Sequence, residues 1–329
     1  MLKSDCDGIP THHAFVVART HHAFVVARTQ TVSPIIFIFT GDHTKMNNMQ
    51  PSNILPLNQQ LYSRLNTGAL MPLLGLGCWD MYGAEATQAV EWALQTGYRL
   101  IDTASMYQNE REVGQAIRHS GVARADIFLT TKLNNTDQGD ADVVRRAFDR
   151  SLQLLDCEYV DLYLIHWPIR HKRRESWVAI EQLYHEGLVK GIGVSNYLLP
   201  FLHELEGYSA VVPAVNQIEF SPYLYLQEEL QHCREKGIQL QGYSPVARGA
   251  KFKDSKLVQL AEKYGKSPAQ MMIRWQLEHG VSVIPKSSNL QRLQENFAVF
   301  DFEIAPEDVA FMDGFHSGFR VVEDPMDIF

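Results

Sequence analysis

The sequence predicts an α/β protein built on a (β/α)8 TIM barrel, entered through a short N-terminal β-hairpin. Two observations predict it. From about residue 61, short apolar runs rich in β-branched residues alternate with stretches of helical period, eight of each with no Pro/Gly/Ser linker between them. Three successive runs end in one ionisable residue, where such a barrel carries its functional side chains. An open doubly wound sheet shares the alternation and is the competing architecture.

The elements follow in order. Tyr62–Leu65, the turn Asn66-Thr67-Gly68 and Ala69–Met71 read as the hairpin. Strands are expected at 73–77, 98–102, 127–131, 161–165, 189–194, 212–218, 238–243 and 281–285. Amphipathic stretches near 85–96, 110–119, 140–155, 175–186, 199–206, 226–236, 255–278 and 289–298 lie between and after them. Pro268 falls inside the seventh stretch, at the start of its second half, where proline is tolerated.

Residues 1–50 read differently. His-His-Ala-Phe-Val-Val-Ala-Arg-Thr occupies 12–20 and recurs unchanged at 21–29, too short a unit for a solenoid. Met46 and Met49 offer alternative starts, so 1–50 is expected to be a disordered or non-native extension that the barrel, residues 51–329, can lose. His12, His13, His21 and His22 have no Cys or carboxylate pattern beside them, and no metal site is assigned.

Composition narrows the function classes. Of the 329 residues 45% are apolar and 21% charged, as in a globular protein. Net charge is −8, from 30 Lys and Arg against 38 Asp and Glu, which argues against a nucleic-acid binder. The tightest basic cluster, Arg170–Arg174, reads as a solvated loop. Cys6, Cys78, Cys157 and Cys233 are widely spaced and fit neither a disulfide framework nor a zinc site. No apolar run approaches ~18 residues, so no membrane span is expected, and the expected location is the cytoplasm.

The strand ends carry the chemistry. The second strand ends at Asp102, followed by Thr-Ala-Ser-Met-Tyr107; the third ends at Lys132; the fourth ends at His166. A free tyrosine titrates near pH ~10 and acts as an acid–base group only with help from its neighbours. A lysine cation lowers the phenol's pKa through its charge, a carboxylate holds that lysine, and a histidine orients a carbonyl oxygen. A Schiff-base role for Lys132 would need an amine free of Asp102.

Gly75-Leu-Gly-Cys-Trp79, Gly97-Tyr-Arg-Leu-Ile-Asp102-Thr-Ala-Ser-Met-Tyr107, Tyr159-Val-Asp-Leu-Tyr-Leu-Ile-His166-Trp-Pro168, Gly193-Val-Ser-Asn196 and Ile284-Pro-Lys-Ser287 together resemble the aldo-keto reductase family, in the family's order, from about residue 57 to the C-terminus. Gly75-Leu-Gly77 alone could open a Rossmann fingerprint, but Asp80 stands where its third glycine belongs. The resemblance implies a barrel that reduces aldehydes, and some ketones, with NADPH. It implies a catalytic tetrad of Asp102, Tyr107, Lys132 and His166, with Tyr107 giving a proton to the carbonyl oxygen.

It further implies that Ser195, Asn196 and Gln217 hold the nicotinamide carboxamide, and that Tyr243, followed by Ser244, stacks on the nicotinamide ring. Lys286, Ser287 and Arg292 would surround the 2′-phosphate, and Glu295 and Asn296 would contact the adenine. Trp79 and Trp167 would line an apolar substrate pocket. The expected partner is a small carbonyl compound, with no nucleic acid, membrane or obligate protein partner. Ser221 replaces the His of the family's His-Pro pair. Short segments at 168–175 and 245–254 and a short tail after Arg320 resemble the branch of 2,5-diketo-gluconate reductases and prostaglandin F synthases, and imply an open pocket. The alternative function is a redox-sensing scaffold that binds NADPH without turnover.

Overall fold

The computed structural model describes residues 60–328, the strand Ile54–Leu57 and two short strands nearer the N-terminus. The chain forms two units, 1–51 and 52–329. In the first, Arg19–Thr20 pairs antiparallel with Ala23–Phe24, so that one strand comes from each copy of the repeated nonapeptide. The rest of that unit, with its four histidines and its expected disorder, lies outside the described residues.

The second unit carries an eight-stranded parallel sheet in sequential order. Its strands are β1 (Leu76–Gly77), β2 (Leu100–Asp102), β3 (Phe128–Leu133), β4 (Leu162–Ile165), β5 (Ile192–Ser195), β6 (Val215–Glu219), β7 (Gln239–Tyr243) and β8 (Ser282–Val283). The sheet closes on itself ahead of β1. Gly75 N–H donates to the Val283 carbonyl and Val283 N–H to the Leu73 carbonyl, both at 2.8 Å, around a parallel bridge between Leu74 and Val283. The result is the expected (β/α)8 barrel. Apart from the end residues of β7, Gln239 and Tyr243, the strands are buried throughout, which is why a strand such as β4 reads as an apolar run, although β3, β6 and β7 bury polar side chains as well.

Helices α1 (Gly83–Thr96), α2 (Glu110–His119), α3 (Ala141–Leu155), α4 (Arg173–His185), α5 (Leu199–Glu206) and α6 (Gln227–Lys236) occupy the first six predicted stretches. The seventh is two helices, α7 (Ser255–Tyr264) and α8 (Pro268–Glu278). Gly265, at φ 61°, stops α7, and the Ser267 hydroxyl and the Gln270 side chain cap the start of α8 reciprocally, with Pro268 in its first turn. After α9 (Leu290–Phe297) comes α10 (Pro306–Asp313), which the pattern does not announce because Asp308 and Met312 are its only buried residues. Arg173 and Arg174 of the basic cluster form the first turn of α4, not a loop, and Arg173 pairs with Glu204 at 2.6 Å.

The predicted hairpin is present as Gln60–Arg64 and Leu70–Pro72. A third strand, Ile54–Leu57, joins its outer edge; Pro56 disguises it, since proline is tolerated only on such an edge. Leu65 and Met71 of the hairpin belong to the same buried cluster as Leu100, Phe128 and Leu162, which open β2, β3 and β4. The hairpin therefore plugs the N-terminal end of the barrel and leaves the C-terminal end for a site.

Gly193 lies where β5 passes β4 and β6. A Cβ there would meet the Val215 carbonyl oxygen at 2.3 Å and a Leu164 methyl at 2.8 Å. Backbone cannot yield cheaply, and such overpacking costs about 1–3 kcal/mol. Gly193→Ala is expected to lower the thermal midpoint by roughly 2–10 °C. A midpoint within a degree or so of wild type would show that β5 has room to move.

Candidate active site

Four predicted residues converge at the C-terminal strand ends. Asp102 closes β2, Lys132 lies near the end of β3, and His166 directly follows β4. Tyr107 ends a single 3-10 turn, Ser105–Tyr107. The Ser105 hydroxyl ties that turn to the Lys132 carbonyl at 2.9 Å. Buried Asn109 fastens its far end: its amide donates to the carbonyls of Cys78 (2.7 Å) and Met81 (2.9 Å) and accepts from the Thr103 hydroxyl (2.6 Å). The phenol is thus held by the loop after β1 and by β3 as well as by its own loop.

The Lys132 ammonium is fully buried and donates to Asp102 Oδ1 (2.5 Å), the Thr103 carbonyl (2.9 Å) and the Tyr107 hydroxyl (3.4 Å). Gln217 on β6 donates to the other oxygen of Asp102 at 2.7 Å. An amine so paired is the opposite of the free amine that Schiff-base chemistry needs. Burial pushes the Asp102 carboxyl up, opposed by the charge and hydrogen bond of Lys132 and the hydrogen bond of Gln217.

Lys132 was expected to lower the phenol's pKa. Instead Tyr107 is held well above the ordinary tyrosine value, first by burial and then by the charge of Asp102. It is a phenol carrying its proton. His166 is pushed well below the ordinary histidine value by burial and then by the charge of Lys132, so it is neutral. Its ring meets Tyr107 edge-on at 5.4 Å. Its Nδ1 is buried without a partner among the described residues, which leaves Nε2 as the nitrogen facing the cleft. An orphaned lone pair costs less than an orphaned N–H, which favours the proton on Nε2.

The ends of the next three strands bring further polar groups to the same cleft. Asn196, at φ 64°, turns the chain just past β5; asparagine tolerates that left-handed backbone. Its amide donates to the His166 carbonyl (2.9 Å) and the Ser195 hydroxyl (3.2 Å), and its oxygen, which can accept twice, takes one bond from Tyr243 (2.8 Å). Gln217 uses its amide hydrogens on Asp102 and on Gln241 at 2.7 Å. The Ser195 hydroxyl as a donor, and the Gln217 oxygen and a second site on the Asn196 oxygen as acceptors, remain. A primary carboxamide needs that combination. Tyr243, whose hydroxyl is tethered to Asn196, adds an aromatic ring to the cleft beside them.

All of the predicted site residues except Lys132 line one cleft of about 770 Å³, and Lys132 sits beneath it under Asp102 and Tyr107. Trp79, 46% exposed, and Trp167 form part of its wall. At one side Lys286 and Arg292 are exposed and make no ion pair among the described residues, while Ser287 and Asn296 are buried. Asn289 caps α9 by accepting from the Arg292 N–H at 3.0 Å. Ser244 also lines the cleft, at φ 48°. Further lining residues went unread in the sequence, among them Arg248, Phe252 and Val322. Arg248 stacks on the Trp79 ring at 4.5 Å, and the loop before it runs through positive φ at Ala247 and Arg248, which no glycine or asparagine announces.

The Aldo/keto reductase family model matches residues 73–316. The chain is 44% identical over 263 residues to the glyoxal reductase of Bacillus subtilis (strain 168), covering 80% of this chain and 95% of that protein. It is 44% identical over 269 residues to the 9,11-endoperoxide prostaglandin H2 reductase of Trypanosoma cruzi (strain CL Brener), covering 80% and 95%. The crystal structure of a Bombyx mori aldo-keto reductase in complex with NADP superposes with a TM-score of 0.75 at 36% identity, covering 80% of this chain and 94% of that one. The chain therefore belongs to the aldo/keto reductase family of oxidoreductases.

Proposed function

We propose that this protein reduces small aldehydes, and some ketones, to alcohols with NADPH, and that Asp102, Tyr107, Lys132 and His166 are its catalytic residues. The observation that carries the reading is a proton-bearing phenol and a neutral imidazole facing one cleft, over a fully buried ion pair. A scaffold that only bound the cofactor would have no use for that pair. The glyoxal reductase among the relatives supports a small aldehyde as substrate.

The site fits a dinucleotide with a carboxamide at one end and an extra phosphate at the other. When bound, NADPH supplies a hydride to the carbonyl carbon. Ser195, Asn196 and Gln217 hold the carboxamide, and the Tyr243 ring supports the nicotinamide face. Lys286, Ser287 and Arg292 meet the 2′-phosphate at the start of α9, while Ser244, Glu295 and Asn296 bind other parts of the cofactor. His166 Nε2 orients the carbonyl oxygen by hydrogen bonding. The Tyr107 hydroxyl gives its proton to that oxygen, and Lys132, fixed by Asp102, stabilises the phenolate left behind. Trp79 and Trp167 exclude water from the substrate.

Tyr107→Phe is expected to cut turnover by roughly 10²–10⁴ while NADPH binding, followed by fluorescence titration, is retained. Near-normal rates would remove Tyr107 from the acid role. The pKa of Tyr107 is raised and that of His166 lowered, so neither group changes charge between about pH 6 and 9. The wild-type kcat/KM for reduction should be flat over that range. A break near the ordinary histidine value would show His166 titrating in the working enzyme.

Arg292→Ala tests the cofactor. A hydrogen bond to a charged group contributes about 1.5–3 kcal/mol, so the Kd for NADPH should rise roughly ten- to a hundredfold. NADH, which has no 2′-phosphate, should bind almost unchanged. Equal losses for both cofactors would place Arg292 on a part they share.

A further inference from the structure

Glu219, the last residue of β6, has no place in the chemistry above, although its strand end is the kind of position that feeds the site. It is 3% exposed. Its two oxygens accept backbone N–H bonds from the C-terminal tail, Oε1 from Val321 at 2.7 Å and Oε2 from Val322 at 3.1 Å. The charges of Arg320 and Arg248 act on the same carboxylate. Burial pushes the Glu219 carboxyl up, and the two N–H bonds of the tail and those two cations offset part of that cost.

Elsewhere the tail is held by Phe319 and Val321, which pack partly buried against the main core. Val321 and Val322 are only half-buried. Just upstream, the N–H groups of Ser317 and Phe319 donate to the Tyr223 carbonyl, both at 3.1 Å, and Lys251 lies 4.0 Å over the Phe319 ring. Arg320 pairs with Asp324 at 3.0 Å. Val322 lines the same cleft as Tyr107 and Trp79. The carboxylate therefore fixes one wall of the pocket from below.

We propose that Glu219 is a positioning residue: by tethering Val321 and Val322 across the barrel mouth it sets the width of the substrate pocket, and so selects carbonyl substrates by size. The selectivity rests on the function proposed above; the tether does not. Glu219→Gln keeps the shape but offers one acceptor where two N–H groups need two, and turns an NH2 group toward one of them.

The test joins limited trypsin digestion to kinetics. In Glu219→Gln, cleavage after Arg320, read by mass spectrometry of the fragment beginning at Val321, should run at least about tenfold faster than in wild type. The kcat/KM ratio of a bulky aromatic aldehyde to a small dialdehyde should rise at least about fivefold, through KM, with kcat for the small substrate within about twofold of wild type. A chain ending at Phe319 should show the same change in ratio, and adding Glu219→Gln to it should change nothing more. Unaltered cleavage, an unaltered ratio, or an effect of Glu219→Gln that persists without the tail overturns the proposal. A wild-type chain that reduces neither aldehyde overturns the proposed function and the selectivity with it, while the trypsin rate still decides the tether.

Discussion

A lysine ammonium with no access to water is the constraint on which the rest of the site depends. Lys132 is fully buried at the end of β3, so its charge must be met where it stands. Asp102 meets it from β2, the Thr103 carbonyl adds a second acceptor, and Gln217 satisfies the far oxygen of the carboxylate from β6. A pair of this kind is weak evidence for stability, since apolar side chains of similar volume could fill the space at less cost. Its value lies in position. It places a cation 3.4 Å from a phenol that burial keeps protonated, where, in the proposed reaction, it would stabilise the anion left when the proton leaves.

The architecture keeps that pair dry and the chemistry accessible. The hairpin closes the N-terminal end through Leu65 and Met71, so the open end is the one where the strands finish. Each strand end then has a distinct task. Strands β2, β3 and β4 bring Asp102, Lys132 and His166, β5 and β6 bring Ser195 and Gln217, and β7 brings the Tyr243 ring. The segment from β8 into α9 presents two cations without carboxylate partners among the described residues. One side chain bridges the two halves: Gln217 spends its amide on Asp102 and Gln241 and leaves its oxygen toward the cleft.

Much of this is legible in the sequence, because buried parallel strands have to read as apolar runs and a site at their ends has to interrupt them with polar residues. Asp102, Lys132 and His166 stand out for that reason. Ser195, Gln217, Arg292 and their neighbours carry no such mark, and only a family resemblance singles them out. Other features escape for physical reasons. Pro56 hides an edge strand, and α10 buries too little to show a period. The break between α7 and α8 depends on the backbone of Gly265 and the side chain of Ser267, although Pro268 marks its place. The role of Glu219 escapes too, because its partners lie about a hundred residues away in the tail. The direction of the Tyr107 shift escapes as well: the sequence shows the lysine beside it but not how deeply both are buried.

The state of that phenol tests the account most directly. With tyrosine labelled with 13C at Cζ, and the Tyr107 signal assigned by its loss in Tyr107→Phe, its titration can be followed by NMR. The phenol is expected to keep its proton up to at least pH ~10, where a free tyrosine is half ionised. A Tyr107 signal that moves to the phenolate position near neutral pH would contradict the account.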